Sequence, residues 1–245
     1  MSLFKKSDDR FVDMHIHILP GIDDGSQNLE TSIQMLRIAA KSGITDMIVT
    51  PHYKNGRHNA SPATIELLID KVTAAMRREG LDIGLYPGNE VFYYDGAAED
   101  IAAGRINSLN GTDRVLVEFL PGERYIYIRN AVDAIIGVGY VPIIAHVERY
   151  ECVIERPELV HELRVLGAEI QINSGSVAGN LGSKIKHFVM ELLQDEDVDY
   201  IGTDAHDDKK RVPDMKKCVA TLRKICDEEY IKMITCDNAL SIIEA

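Results

Sequence analysis

Seven short stretches rich in apolar and β-branched residues recur along the 245-residue chain, and most of them are separated by a helical pattern. This alternation is typical of parallel strands wrapped by helices. Seven units in a chain of this length favour one domain with a closed or nearly closed barrel over an open sheet. The predicted fold class is therefore α/β, a TIM-like barrel, with strands at Phe11–His15, Asp46–Thr50, Asp82–Tyr86, Arg114–Glu118, Val141–Ala145, Glu169–Ile172 and Asp199–Gly202.

The helices between these strands carry recognisable start and stop signals. The first ends at Gly43, and the second begins at Ser61-Pro62 and stops at Gly80. Residues 1–10 are polar and charged, which predicts a flexible N-terminus and leaves residues 11–245 as the folded domain. Besides the second helix, the predicted helices are Leu29–Ser42, which is the first, Ala97–Ala103, Asn130–Val138, Pro157–Leu166, Lys184–Gln194, Val212–Asp227, Glu228–Ile234 and Asn238–Ala245.

Every predicted strand is followed by a polar residue, and in such barrels the loops after the strands share one face. In the first strand, alternation predicts that Asp13, His15 and His17 point to one side and Val12, Met14 and Ile16 to the other. Six of the seven strand ends carry a candidate metal ligand, and together with a neighbouring loop residue the set is His15, His17, Asp24, His52, Glu90, Glu118, His146, Asp204 and His206.

These nine candidates are too many for one ion, which takes about four to six donors. They suit two or three divalent ions held by bridging carboxylates. Mixed nitrogen and oxygen donors without thiolate fit Mn, Fe or Zn, and the donor types do not choose among these metals. The other histidines, His58, His161 and His187, fall in loop or helix patterns and are predicted to lie on the surface.

Composition excludes several other functions. A net charge of −12 argues against a nucleic-acid-binding surface, and no apolar run is long enough to span a bilayer, so no membrane insertion is expected. The four cysteines show no C-x-x-C spacing and no secretory signal precedes them, which predicts reduced thiols in a cytoplasmic protein. No C-x5-R motif is present, so a thiolate phosphatase mechanism is not expected.

The motifs at the strand ends resemble those of the polymerase-and-histidinol-phosphatase (PHP) superfamily of metal-dependent phosphoesterases: D-x-H-x-H from Asp13, T-P-H from Thr50, A-H-x-E-R from Ala145 and D-A-H from Asp204. Within it, residues 17–25, 117–119, 145–150 and 173–176 are similar to the bacterial manganese-dependent protein-tyrosine phosphatases of capsule and exopolysaccharide loci. The resemblance runs from about residue 13 to the C-terminus. It implies a distorted (β/α)7 barrel, the PHP fold, with a trinuclear metal centre.

The resemblance also implies roles for individual residues. One ion would be held by His15, His17, Glu90 and Asp204, a second by Glu90, Glu118 and His146, and a third by Asp24, His52 and His206. Arg149 and Arg211 would bind the phosphate. Three divalent ions are expected, with Mn favoured over Fe or Zn. Thr203 departs from the serine of many relatives and leaves the ligands intact.

The implied reaction is hydrolysis of phosphotyrosine by a metal-activated hydroxide, with a bacterial tyrosine kinase of polysaccharide export as the partner. Asp13 is expected to orient a metal ligand. His206 or His52 is a candidate for protonating the leaving oxygen. Six tyrosines near the site are candidates for stacking on the substrate ring, although most of them are expected to be loop surface or packing residues: Tyr53, Tyr93, Tyr94, Tyr125, Tyr127 and Tyr150.

Two alternatives stay open at this point. The first is a histidinol-phosphate phosphatase or another small-molecule phosphoesterase of the same superfamily. The second is an inactive barrel that binds metal structurally and serves as a scaffold. The sequence does not identify the kinase, the native metal or the oligomeric state.

Overall fold

The computed structural model describes residues 10–245. Its strands are β1 (Phe11–Ile16), β2 (Ile44–Val49), β3 (His52–Lys54), β4 (Gly84–Pro87), β5 (Glu90–Phe92), β6 (Arg114–Glu118), β7 (Val141–Ile144), β8 (Glu169–Asn173) and β9 (Tyr200–Gly202). Its helices are α1 (Leu29–Ser42), α2 (Pro62–Arg78), α3 (Ala97–Ala102), α4 (Tyr125–Gly137), α5 (Glu151–Ile154), α6 (Glu158–Val165), α7 (Ser174–Val177), α8 (Ser183–Gln194), α9 (Lys216–Leu222), α10 (Glu228–Lys232) and α11 (Asn238–Ile243).

The strands lie in seven positions, as predicted, but two of these positions hold two short strands each. Pro51 separates β2 from β3, since proline has no N–H to donate to a ladder, and residues 88–89 separate β4 from β5. All paired strands are parallel, in the orders β1-β2-β4 and β3-β5-β6-β7-β8-β9. The split is important for the site because it starts β3 at His52 and β5 at Glu90, which are paired in register.

The first and last strand positions are joined by a single parallel bridge between Ile16 and Ala205. The Asp204 N–H donates to the His15 carbonyl at 2.8 Å, and the His17 N–H donates to the Ala205 carbonyl at 3.0 Å. The strand positions therefore follow one another around a ring, as in the predicted barrel, and a bridge rather than a full ladder completes it.

Two hydrophobic clusters surround the strands. The larger cluster packs the helices against the outer faces of the strands. The smaller cluster lies inside the ring and includes Val12, Met14, Leu116 and Ile143. Side chains of the C-terminal helical run, among them Ile242, belong to the inner cluster, and Asn110 just before β6 bonds the Ile242 carbonyl. The C-terminal run therefore packs near the amino end of β6, away from the loops that follow the strands.

Strict alternation fails in β1, where the register shifts between Asp13 and Ile16. Val12 and Met14 belong to the inner cluster, whereas Ile16 belongs to the outer one. The prediction that Val12, Met14 and Ile16 share a face is therefore wrong, because a bulge changes which side chains oppose each other.

Helix α1 has the predicted bounds because both of its ends carry strong local signals. The Asn28 side chain accepts from the Thr31 N–H at 3.0 Å, and Gly43 takes a left-handed conformation at φ 98°. Other boundaries differ. Helix α4 begins at Tyr125 rather than Asn130. The predicted Val212–Asp227 helix shortens to α9, which begins where Asp214 accepts from the Lys216 N–H at 2.9 Å.

The remaining predictions about the fold concern the N-terminal segment, the C-terminal helices and membrane-spanning segments. The predicted flexible segment lies outside the described residues except for Arg10, which forms an ion pair with Asp46 at 2.9 Å. Residues 228–243 form one helical run with a π segment at Met233–Asp237, instead of separate helices. Among residues 10–245, no helix is both long and apolar enough to cross a bilayer.

Candidate metal centre

The structure brings all nine predicted ligand residues to one mouth, at the carboxyl ends of the strands. Most of them are buried, whereas the Asp24 side chain is 65% exposed. Strands and loops deliver them as follows: His15 from β1, His17 and Asp24 from the loop after it, His52 from β3, Glu90 from β5, Glu118 from the end of β6, His146 after β7, and Asp204 and His206 after β9.

Glu90 lies at the middle of the cluster and is almost completely buried. Its Oε1 atom lies 2.8 Å from His146 Nε2 and 3.2 Å from His15 Nε2. Its Oε2 atom lies 3.2 Å from His17 Nε2 and 3.0 Å from His52 Nδ1. One carboxylate therefore borders four imidazoles, which is the position that a bridging ligand occupies.

The ligand atoms form overlapping groups in which all members lie within 4.8 Å of one another. Four buried atoms of these residues make no well-oriented hydrogen bond: His52 Nδ1, Glu90 Oε2, Glu118 Oε1 and His146 Nδ1. His52 Nδ1 nevertheless lies 3.0 Å from Glu90 Oε2 and 3.1 Å from Glu118 Oε1. Buried polar atoms are nearly always satisfied, so a cluster of unsatisfied donors and acceptors fits a site for cations. The groups are His17, Asp24, His52 and His206; His15, Glu90 and His146; His15, His17 and Asp204; and His52, Glu90 and Glu118.

Hydrogen bonds fix the orientation of three of the imidazoles. The Nδ1–H group of His15 donates to Gln171 Oε1 at 3.1 Å, and that of His17 donates to Asp23 Oδ2 at 2.8 Å. The Nδ1–H group of His206 donates to the Asp204 carbonyl at 3.0 Å. In the neutral imidazole, each bond leaves Nε2 with its lone pair toward the cluster, as metal-binding histidines require.

Sequence reasoning missed Gln171 and Asp23. Asp23 stands beside Asp24 in an Asp-Asp-Gly turn, so either carboxylate was a candidate partner of the histidines. Gln171 lies two residues before Asn173 on β8, and the period-two pattern places both on one face. Asn173 in turn donates to Asp204 at 2.9 Å. The available signal was the alternation of polar residues with Ile170 and Ile172 on β8.

Two of the nine residues have unusual backbone conformations. Among residues 10–245, four non-glycine residues have positive φ, and they include His146 at 33° and Asp204 at 51°. Such conformations cost about 1–3 kcal/mol and persist where the surroundings hold them. Here the Gln171 side chain accepts from the His146 N–H at 2.8 Å, and the His15 carbonyl accepts from Asp204. The strain is therefore located at the candidate site.

The imidazoles of the cluster have strongly displaced pKa values. Burial opposes the charge on His17, but hydrogen bonds to Asp23 and Glu90 outweigh it and raise the pKa of His17 to about 10. Burial is likewise outweighed at His52, where Glu118 and Glu90 raise the pKa to about 9. Without metal, protons on these two imidazoles balance part of the carboxylate charge. Divalent cations can replace those protons.

The two predicted phosphate-binding arginines lie at the edge of the same cluster. Arg149 donates to Asp204 Oδ2, and Arg211 donates to Asp204 Oδ1 at 2.7 Å. Both arginines line a cavity of about 640 Å³. The structure therefore brings the anion-binding candidates and the metal-ligand candidates to the same opening.

Asp13 orients proposed ligands through the backbone, in agreement with the prediction. Its carboxylate accepts from the Thr203 N–H at 2.9 Å and from the Thr203 hydroxyl at 2.5 Å, as well as from the His15 N–H at 3.3 Å. Within residues 10–245, no hydrogen bond joins this carboxylate to an imidazole ring. Asp13 thus fixes the backbone that precedes Asp204.

Of the six candidate tyrosines, Tyr150 and Tyr93 are packing residues, as expected for most of the six, and they are not available to stack on a substrate ring. Tyr150 is fully buried, and its hydroxyl donates to the Ala145 carbonyl at 2.9 Å and accepts from the Phe119 N–H at 3.2 Å. Tyr93 is buried against Phe119 and Tyr127, with both ring centroids at 5.6 Å. Within residues 10–245, the cavity of Arg149 and Arg211 is lined by none of the six tyrosines.

The remaining predictions about side chains agree with the structure. His58 and His187 are exposed, and the His161 side chain is 67% exposed beside Asp197. The four cysteines are unpaired, with Cys218 and Cys236 buried.

A ring of parallel strands that gathers imidazoles and carboxylates at its carboxyl ends, beside two arginines, defines the class of metal-binding α/β barrels. Within that class the chain belongs to the family described as capsular polysaccharide synthesis, CpsB/CapC, which matches residues 11–244.

Individual relatives agree with this family. The chain is 34% identical to the tyrosine-protein phosphatase YwqE of Bacillus subtilis (strain 168), over 93% of this chain and 89% of that protein. YwqE from Bacillus subtilis and CpsB from Streptococcus pneumoniae have been solved together and are described as unique metal-dependent tyrosine phosphatases. One chain from that work matches this structure with a TM-score of 0.89 at 32% identity, over 95% of this chain and 94% of the other.

A more distant likeness shows the fold alone. A variant of an organophosphorus hydrolase from Deinococcus radiodurans matches with a TM-score of 0.57 at 14% identity, over 95% of this chain and 92% of the other.

Proposed function

We propose that this chain is a metal-dependent protein-tyrosine phosphatase that acts in capsular polysaccharide synthesis. Its family membership and its similarity to YwqE support the activity. The observation that carries the proposal is the convergence of nine nitrogen and oxygen donors with Arg149 at one mouth. We further propose that residues 11–245 form the phosphatase domain and that the protein is cytoplasmic.

The proposed centre holds three divalent ions, with Mn²⁺ as the first candidate and Fe or Zn as alternatives. Glu90 would be shared between two of the ions because both of its oxygens face imidazoles. When bound, such ions supply a water of lowered pKa and positive charge for the phosphoryl oxygens. The proposed sets are His15, His17, Glu90 and Asp204; Glu90, Glu118 and His146; and Asp24, His52 and His206.

Arg149 and Arg211 bind the phosphoryl oxygens in this proposal. A planar guanidinium can donate two parallel hydrogen bonds to a phosphate, which an ammonium cannot reproduce. Both arginines now pair with Asp204. With cations bound, Asp204 would need less positive charge from the arginines, and their N–H groups would be available to a substrate anion. Tyrosine is a good leaving group, since the pKa of a phenol is about 10, and this lowers the demand on a general acid.

The proposed substrate is a phosphotyrosine protein, and the proposed partner is a bacterial tyrosine kinase. A direct test compares hydrolysis of a phosphotyrosine peptide with hydrolysis of histidinol phosphate, using protein purified without chelator and loaded with Mn²⁺, Fe²⁺ or Zn²⁺. We expect a higher kcat/KM for the peptide and about three bound ions per chain by elemental analysis. A higher kcat/KM for histidinol phosphate would overturn the proposal in favour of a small-molecule phosphoesterase.

Substitution of Arg149 separates an enzyme from a metal-binding scaffold. We expect Arg149→Ala to lower kcat/KM by about 100- to 1,000-fold, as when a donor that stabilises transition-state charge is removed. Arg149→Lys should recover little of the lost kcat/KM, because a lysine ammonium lacks the planar pair of N–H donors that the guanidinium offers. Metal content should stay unchanged in both variants. The control is Arg77→Ala, an exposed arginine on α2. A metal-loaded wild-type protein without turnover would indicate a scaffold.

A further inference from the structure

The cavity beside the metal centre is larger than the proposed reaction requires. Its volume of about 640 Å³ lies within the range that takes a whole drug-sized ligand, and a phosphotyrosyl side chain is smaller than that. Arg149 and Asp204 line the side next to the metal-ligand cluster. The cavity continues past them to Lys210 and Lys217.

The charges that line this cavity do not balance. Four cationic side chains, Arg149, Lys210, Arg211 and Lys217, face two carboxylates, Asp204 and Asp214. This surplus of positive charge stands out in a protein with a net charge of −12. Like charges gathered in one cavity repel each other and raise the local concentration of anions.

The two arginines and the two lysines differ in their partners. Both arginines bond Asp204. Lys210 and Lys217 are exposed, and among residues 10–245 no carboxylate lies within ion-pair distance of either ammonium group. A phosphoryl group bound by the arginines would therefore leave both ammonium groups available for another anion.

We infer that Lys210 and Lys217 bind a second anionic group of the substrate, a carboxylate or a phosphate located near the phosphotyrosine in the same peptide. This inference rests on the proposed function and narrows its substrate class to acidic or multiply phosphorylated tyrosine peptides. The apolar side chains of the lining, Ala178, Val212 and the 52% exposed Leu181, provide surface for the intervening peptide, and the other uncharged lining residues are mostly polar.

The test uses the Mn²⁺-loaded full chain and three peptides that differ only beside the phosphotyrosine. The neighbouring positions carry alanine, glutamate or a second phosphotyrosine. We expect the wild type to show a KM about 3- to 10-fold lower for the two acidic peptides than for the alanine peptide. This preference should shrink as ionic strength rises, since the lysines are exposed.

The double variant K210A/K217A should lose the preference through KM, whereas a folding defect would lower kcat for all three peptides. A matched control removes two exposed lysines that do not line the cavity, Lys71 and Lys224, and should keep the preference. A lowered KM for the glutamate peptide alone identifies a carboxylate site, and a lowered KM for the doubly phosphorylated peptide alone identifies a phosphate site.

Three outcomes would overturn the inference. A wild type without any preference does so, and so does a preference that the K210A/K217A variant retains or that the Lys71 and Lys224 control loses equally. In these cases phosphotyrosine hydrolysis itself still supports the proposed function. If the metal-loaded protein hydrolyses none of the three peptides, the proposed function fails and takes the inference with it.

Discussion

A single buried amide, that of Gln171, orients two of the proposed ligands. Its oxygen accepts from His15 Nδ1 at 3.1 Å and from the His146 N–H at 2.8 Å. Its nitrogen donates to the Ile172 carbonyl at 2.7 Å and to Asn173 Oδ1 at 2.9 Å. Because every group of this amide is used, β8 controls the geometry of the metal centre without supplying a ligand.

Gln171→Leu should weaken metal binding and destabilise the fold together. The change leaves His15 Nδ1 and the His146 N–H without an acceptor, at about 1–3 kcal/mol for each buried group. Loss of a residue that orients ligands typically lowers metal affinity by about 10- to 100-fold. Mn²⁺ titration and urea unfolding measure the two effects. Gln194→Leu, on an exposed residue at the end of α8, serves as control. Unchanged Mn²⁺ affinity would contradict the role of Gln171.

Metal binding should release protons near neutral pH. In the metal-free protein the raised pKa values of His17, about 10, and of His52, about 9, keep both imidazoles protonated at pH 7. Metal ligation requires neutral imidazoles, so each should lose its proton and affinity should fall as the pH is lowered. Calorimetric titration with Mn²⁺ in two buffers of different ionisation enthalpy measures the release. A binding enthalpy that is the same in both buffers would argue against protonated ligands.

At the scale of elements, the loop after β1 packs directly onto the strand through Gly25. A Cβ atom on Gly25 would lie 2.2 Å from the His17 carbonyl oxygen and 2.4 Å from His17 Cβ. The Gly25 N–H also donates to Asp23 Oδ1 at 2.9 Å. The loop can therefore hold Asp23 and Asp24 against the histidines only with glycine at this position.

Gly25→Ala should displace this loop and lower kcat/KM by at least about 10-fold, because the orienting bond to His17 and the ligand Asp24 both move. Gly137→Ala is the matched control, since it lies in α4 with open space around it. Replacing glycine by alanine within a helix stabilises by about 0.5–1 kcal/mol, so the control should unfold at a slightly higher temperature. Full activity of Gly25→Ala would show that the loop position is unimportant.

At the scale of the whole molecule, the core and the metal centre are separate sources of stability. The two hydrophobic clusters surround the strands on both faces and include none of the nine proposed ligands. The charged cluster at the carboxyl ends instead collects four carboxylates and five imidazoles. The fold is therefore expected to persist without metal, with cations adding stability by binding the native state.

Chelation should lower the unfolding temperature without unfolding the protein at 25 °C. Each ion present at 100 times its Kd adds about 2.7 kcal/mol, which corresponds to about 5–10 °C in a chain of this size. Calorimetry of the chelated protein before and after addition of Mn²⁺ measures this shift, and circular dichroism checks that the chelated form stays folded. A transition temperature that does not respond to Mn²⁺ would contradict the proposed centre.

The sequence by itself determined the positions of the strands and the identity of the clustered residues. Periodicity is a local property, and parallel topology then places every strand end on one face, so His52, Glu90 and His146 could be brought together without coordinates. Local signals also fixed α1, through Asn28 and Gly43. Tertiary structure decided the rest. The bulge in β1, the burial of Tyr150, the partners of Gln171 and the gathering of Lys210 and Lys217 in one cavity all depend on contacts between distant segments, which no local pattern encodes.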